Sequence, residues 1–432
     1  MQMIVEPEPA AARWRTPAAW LREHNLGRGF WIFFTAAFFF DAGFSVYFFL
    51  FNLYLLDLHF NERAIGLIGG AMTLGSIAGT LPVGALARRF GLRPLLVFCF
   101  VAAPGVGALR AVWTAQPAQV VLALFAGMAM CSWGVSFLPT VASLTTEKNR
   151  PAAFSLIYSV SIGSSSLGAV ICGDLPRWLA RAGWSLEDAA IKRAILLGSC
   201  ALAAAGLAAI LRLRIPSAPN DPADAGIASV QAPVRRWFQI DPFLIRFLAA
   251  MALWSVVLAA FTPFANVYLT RDLHIPLARI GLIFAGAQLL QLTAGLLNPL
   301  LFRAVGMVNG IVVTQMLAAV SLGLLARTQS VTFAVTLFLT FSATQWMSSP
   351  GLYNLLMNET PERDRSRAAA MTMFCNAVAG SMATAGAGIF FTRIGYAPVL
   401  LGIAVLALGC AVLCRLLLRP QPAAADPAQV KP

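Results

Sequence analysis

Apolar residues run along this chain in long stretches broken by short polar gaps. At 1.5 Å rise per residue, roughly 20 apolar residues cross a hydrocarbon core of about 30 Å. Such stretches fall at 30–52, 65–86, 94–113, 118–142, 152–174 and 189–212, and a second set at 242–269, 279–302, 308–327, 331–355, 366–391 and 396–418. The pattern predicts an all-α membrane protein with twelve transmembrane helices. Between the two sets lies RIPSAPNDPADAGIASVQAPVRRWFQIDP, rich in Pro, Ala and Asp and without apolar periodicity, which reads as a linker. The expected division is an N-terminal arm (1–29), a six-helix bundle (30–212), a linker (213–241), a second six-helix bundle (242–418) and a disordered tail (419–432). In the arm, Thr16 and Pro17 can cap and start a short basic helix that lies on the headgroup layer.

Composition agrees with the pattern. Of the 432 residues, 59% are hydrophobic and 11% charged, and the mean hydropathy is +0.75. A soluble domain carries about 25% charged residues. The net charge of +13 would suit a nucleic-acid binder only if Lys and Arg shared one soluble face. Here they sit in the gaps between apolar runs, where they set orientation. The side holding both termini carries roughly twice as many of them as the other, which predicts cytoplasmic termini. Arg110 counts among the outer-side residues on this reading, and no Lys or Arg stands deep in any helix. The first apolar run is too long for a signal peptide. Seven scattered cysteines and three separated histidines give no metal-ligand spacing. No cofactor is expected, nor an enzyme: a Walker A motif, paired carboxylates and a nucleophile triad are all missing.

The two sets of helices repeat. LDLHFNERAIGLIGG at 56–70 matches RDLHIPLARIGLIFA at 271–285, pairing Asp57 with Asp272, His59 with His274 and Gly66 with Gly281, each 215 residues apart. The same offset takes Arg88 to Arg303, Gly91 to Gly306, Glu147 to Glu362 and Arg150 to Arg365. Upstream, NLYL at 52–55 matches NVYL at 266–269 with one residue inserted. Six helices per copy put both copies the same way up, so the repeat is parallel, with a pseudo-two-fold axis along the membrane normal. Transporters built this way bind substrate between the halves near the midplane and rock one half against the other.

On this repeat, the central linker and the loop GALARRFGLRP (84–94), the chain resembles the major facilitator superfamily over nearly its whole length. The family's pattern in that loop is roughly G-x-L-a-D-R-x-G-R-R. Gly84, Leu86, Arg89, Gly91 and Arg93 match, while Arg88 stands at the Asp position and Leu92 at an Arg position. TEKNR (146–150) and PERDR (361–365) look like the family's acid-and-arginine loops, with Glu147, Arg150, Glu362 and Arg365. The resemblance implies that these loops act in the conformational cycle. The fifth helix lacks the G-P-x-x-G-G motif of many drug/proton antiporters, and the fourth lacks their arginine.

The first helix poses the chemical question. Asp41 lies about eleven residues in, among rings. An ionised Asp at a helix centre costs about 2.5–3.5 kcal/mol on insertion scales, so a carboxyl there has reason to take up a proton. It is the candidate proton-coupling residue, against the blander reading of an acid hydrogen-bonded to a neighbouring helix. Phe38, Ser45 and Asn52 share its face. The second and eighth helices carry polar faces at matching positions of the repeat, where Thr73 and Ser76 correspond to Gln288 and Gln291. Ser161 in the fifth helix corresponds to Asn376 in the eleventh. Candidate substrate contacts are Phe38, Ser45, Asn52, Trp133, Tyr158, Trp254, Asn266, Gln288, Gln291, Gln345, Trp346 and Asn376. Pro263 and the pair Pro350-Gly351 break hydrogen-bond ladders and are candidate hinges.

The expected function is secondary active transport of a small neutral or cationic amphipathic molecule, proton-coupled, with efflux slightly preferred. Uptake or uniport of a metabolite, and a non-transporting sensor or assembly protein on the same fold, are the alternatives. The expected setting is a bacterial cytoplasmic membrane, and the expected partners are the solute, protons and lipid, with the protein a monomer.

Overall fold

The computed structural model describes residues 26–146, 149–181, 188–215, 242–361 and 364–417. Most of the arm, the linker and the tail, with Glu147 and Glu362, lies outside the described residues.

The N-terminal half holds α1 (Arg28–Asp57), α2 (Glu62–Phe90), α3 (Leu92–Val112), α4 (Gln116–Ser143), α5 (Arg150–Arg181), α6 (Asp188–Ala205) and the short α7 (Leu207–Arg212), which completes the sixth span. The C-terminal half holds α8 (Pro242–Phe261) and α9 (Ala265–Arg271), joined by a 3-10 turn at Thr262–Phe264, then α10 (Leu277–Val305) and α11 (Met307–Leu325). It ends with α12 (Val331–Thr344), α13 (Ser348–Glu359), α14 (Arg365–Ile394) and α15 (Tyr396–Leu417). Among the described residues, eleven spans are long and apolar enough to cross a membrane. The twelfth is α12 with α13, interrupted at residues 345–347.

The repeat is exact to the residue in places. The bounds of α2 and α10 differ by 215 at both ends. Gly91 and Gly306 turn the chain between successive helices at φ 84°, ψ 174° and φ 83°, ψ 158°, a region only glycine enters freely. His59 and His274 take the left-handed conformation at φ 62° and 50° in the matching turns.

The seams between halves obey the same symmetry. α2 packs on α14, and α10 packs on α5. A Cβ on Gly66 would meet the Thr384 carbonyl and Gly388, while one on Gly281 would overlap the Ala169 carbonyl and meet Gly173. Ala169 and Gly173 map onto Thr384 and Gly388 by the same offset of 215. Small residues let two backbones touch where a side chain would hold them apart.

All recorded bonds between the halves lie toward the end where α1 finishes. Arg271 pairs with Glu62 at 2.8 Å, and Tyr396 donates to Glu62 at 3.4 Å. The Arg63 N–H donates to Thr392 Oγ1 at 3.0 Å, and Ser381 Oγ to the Gly70 carbonyl at 2.8 Å. None of these contacts lies toward the end that holds the termini, where Phe38, Tyr158 and Trp346 are exposed. The molecule is closed at the far end and parted at the terminal end.

Candidate functional site

Two interrupted spans shape the centre. Pro263 has no N–H, so the Ala259 carbonyl loses its helical donor. Thr384 Oγ1 of α14 supplies one at 3.0 Å. In the other broken span, Asn298 Nδ2 of α10 donates to the Met347 carbonyl at 2.6 Å, and Pro350 and Gly351 stand in the first turn of α13. The two breaks are tied together: Thr262 Oγ1 donates to Gln345 Oε1 at 3.0 Å.

The first break also receives the other half. Asn52 Nδ2 of α1 donates to the Pro263 carbonyl at 2.8 Å, and Asn266 Nδ2 of α9 returns a bond to the Phe49 carbonyl at 3.0 Å. Phe49 meets Phe284 of α10 edge to face, with centroids 5.5 Å apart. These contacts frame a cavity of about 430 Å³ between the halves, within the usual range of about 300–1,000 Å³ for small-molecule pockets. Its wall takes Ser45, Phe48, Phe49, Phe51 and Asn52 from α1, Ile68, Gly69 and Met72 from α2, and Ser165 and Ala169 from α5. The C-terminal half gives Thr262, Pro263, Asn266, Phe284 and Gln288. Arg110 completes the lining.

Asp41 stands one turn outside it. Ser161 Oγ of α5 donates to Asp41 Oδ2. Ser45 and Ser165, four residues further along each helix, already line the cavity, so the Asp41–Ser161 pair sits about 6 Å nearer the parted end. Phe38 and Phe48 are 43% and 42% exposed on the same stripe of α1, and Asp41, between them, is only partly buried. No Lys or Arg is paired with it among the described residues.

Of the twelve sequence-derived contacts, Ser45, Asn52, Asn266 and Gln288 line the cavity, and Gln345 reaches it through Thr262. The others stand elsewhere. Trp133 packs in a ring cluster with Phe33, Phe40 and Phe100 inside the N-terminal bundle. Tyr158, 52% exposed, touches Phe137. Trp254 is core, 2% exposed, its indole N–H unpartnered. Trp346 is 52% exposed at the second break. Gln291 and Asn376 are partly buried and outside the lining. Helical spacing assigns a face and leaves open which neighbour that face meets.

Three of the loop arginines contact their own halves. Gly84 is buried in α2, and the Arg89 guanidinium lies over Phe90 at 5.3 Å. Arg93 donates to the Leu211 carbonyl at 2.7 Å. Arg88 is helical and Arg150 begins α5. Arg365 Nε donates to the Met357 carbonyl at 2.9 Å, a cation on the carbonyl end of α13.

Arg110 stands at the outer end of its helix as read from the chain, in the last turn of α3, but its side chain turns inward, 2% exposed, onto the cavity wall. Its place follows from the loop: Gln119, nine residues on, donates to the carbonyls of Arg110 and Trp113 at 2.6 Å each and folds the α3–α4 turn under the bundle. A lone Arg close to a helix end gave no sign of which way it pointed. Thr262 was also missed, though its neighbour Pro263 gave the clue.

The sequence profile of the Major Facilitator Superfamily matches residues 33–384. The chain belongs to the major facilitator superfamily. It is a multi-pass transporter of that type, as the twelve spans and parallel repeat require. No curated sequence matches it. Among solved superfamily structures, it superposes on a mutant of the nucleoside transporter NupG with a TM-score of 0.74 at 14% identity, covering 91% of this chain and 100% of that one. A D-xylose-proton symporter gives 0.68 at 15%, covering 89% and 96%. A bacterial homologue of the iron transporter ferroportin, inward-facing, gives 0.64 at 14%, covering 90% and 98%. At these identities the likeness is one of fold.

Proposed function

We propose that this superfamily member is a proton-coupled secondary transporter that carries a small amphipathic organic solute by alternating access. The observation that carries the reading is the cavity at the seam of the two halves, with one carboxyl, unpaired with any cation, at its parted mouth. Its ring-rich wall with a few amides suits an amphipathic body. A neutral or cationic solute was the expectation while no deep cation was known, and Arg110 on the wall removes that ground.

The cycle runs as follows. Residues 30–212 and 242–418 rock as two bodies, with 213–241 as the linker between them. The excess of Lys and Arg puts the terminal end in the cytoplasm of a bacterial cell, so the parted state faces inward. Asp41 exchanges its proton with the cytoplasmic side in this state and with the other side after rocking, when the Glu62–Arg271 pair has opened. Pro263 and Pro350-Gly351 are the hinges, since one span is interrupted at Pro263 and the other at residues 345–347, just before Pro350. The Gly84–Arg93 loop and the acid-and-arginine loops at Arg150 and Arg365 steady the parted end. Net efflux is the preferred direction, although the structurally similar D-xylose-proton symporter moves its sugar and proton together.

The test is a ligand-stabilisation screen on purified protein, then counterflow of each hit in proteoliposomes with and without a pH gradient. Gradient-driven accumulation that Asp41→Asn removes, with counterflow retained, is the expected result. Flux indifferent to both the gradient and the substitution rejects coupling at Asp41. No exchange of any hit rejects transport.

A further inference from the structure

Arg110 is a buried cation without an acid. Its guanidinium lies over the Phe51 ring at 4.2 Å. Its Nε reaches Gln119 Oε1 at 3.4 Å, a long bond to a neutral amide. The ionisable side chains beside it, Tyr47 and Cys200, bring no carboxylate, and the Tyr47 hydroxyl donates to the Gly107 carbonyl. Among the described residues, no ion pair includes Arg110 and no hydrogen bond leaves its two terminal nitrogens. Arg cannot shed its charge as a buried Lys or Asp can. A buried, unpaired charge is costly, and this one lies at 2% exposure on a cavity wall.

We propose that Arg110 is the anion-binding end of the substrate site, and that the solute is an amphipathic organic acid bearing a single carboxylate. The inference deepens the transporter reading and rests on it. One guanidinium offers a flat two-pronged donor edge that fits one carboxylate and balances one negative charge. A phosphate dianion would leave a charge unmatched, because the rest of the wall is neutral. Phe48, Phe49 and Phe284 then enclose the apolar body, while Asn52 and Asn266 stay engaged with backbone carbonyls. The position also orders the site. Phe51 lies ten residues beyond Asp41 on α1, about 15 Å along the helix. The carboxylate therefore docks at the closed end, and the coupling acid waits nearer the mouth.

The experiment compares three isosteric probes on full-length protein in detergent: naphthylacetate, naphthylacetamide and naphthylethylamine. Binding is read by thermal shift and titration, and exchange by counterflow. In the wild-type protein the acid should bind about tenfold or more tighter than the amide and the amine, as charge-assisted bonds do over neutral ones. Arg110→Gln should weaken the acid about 10- to 100-fold, to the level of the amide, and Arg110→Lys should fall between. The wild-type ranking decides by itself, whatever the variants do to folding. Amide or amine binding as tight as the acid overturns the inference and leaves transport standing, as does full acid affinity in Arg110→Gln. No binding or exchange of any probe overturns both.

Discussion

In the N-terminal half, Asp41 faces Ser161, and Arg110 lies on Phe51 beside Gln119. At the matching places in the C-terminal half stand Ser255, Asn376, Leu325 and Ala334. Leu325 and Ala334 are core residues, and the Asn376 carboxamide oxygen has no partner. The seam glycines and the turn residues, by contrast, are the same in both halves. The difference separates two jobs. Rocking needs both seams to close in the same way, so the close-packed positions match. Chemistry needs one charge in one place, so the ionisable groups stand in one half, and the other half answers with broken helices and amides.

The largest expected effect comes from making the halves alike at the coupling position. Asp41→Asn should abolish gradient-driven accumulation while the protein still inserts and exchanges its solute, whereas Ser255→Ala should leave accumulation within about twofold of wild type, since a lone hydroxyl is worth about 0.6 kcal/mol. Accumulation assays on the two variants side by side check this, and equal losses would end the asymmetry.

The seams test the opposite claim. Gly66→Val and Gly281→Val force a side chain against backbone, and each should cost about 1–3 kcal/mol of the closed arrangement, as overpacking does. Their thermal unfolding shifts should agree closely, with the far end becoming accessible to a thiol reagent at an introduced cysteine. A large shift for one and none for the other would show that the two seams bear different loads.

Glu62→Gln should act more weakly and on one side. Arg271 is 44% exposed, so water screens the pair, and the expected loss is about 1 kcal/mol. The readout is a modest rise in far-end accessibility, larger at low ionic strength for the wild-type comparison. The smallest effect is Thr384→Val, which leaves the Ala259 carbonyl without its substitute donor and should lower stability by about 1 kcal/mol without changing the solute preference.

Much of the fold could be read from the chain. All twelve segments fall on observed spans, because a membrane helix must satisfy its own backbone bonds and therefore announces its length in consecutive apolar residues. The site was only partly legible. Asn52 and Asn266 were found through their repeated sequence, and Gln288 because a lipid-facing amide would be costly. Trp133 and Trp254 were not separable from site residues by type, since a ring packs as well in a core as against a solute.

The sequence by itself determined the number of spans, the duplication, the repeated glycines and the acid in the middle of α1, since each is a property of composition, spacing or internal identity. Only the tertiary structure decided that one end is sealed and the other parted, that the two interrupted spans are bonded to each other, and that Arg110 turns inward. Those outcomes depend on which helix lies beside which, and a helix's own residues fix its faces but not its neighbours.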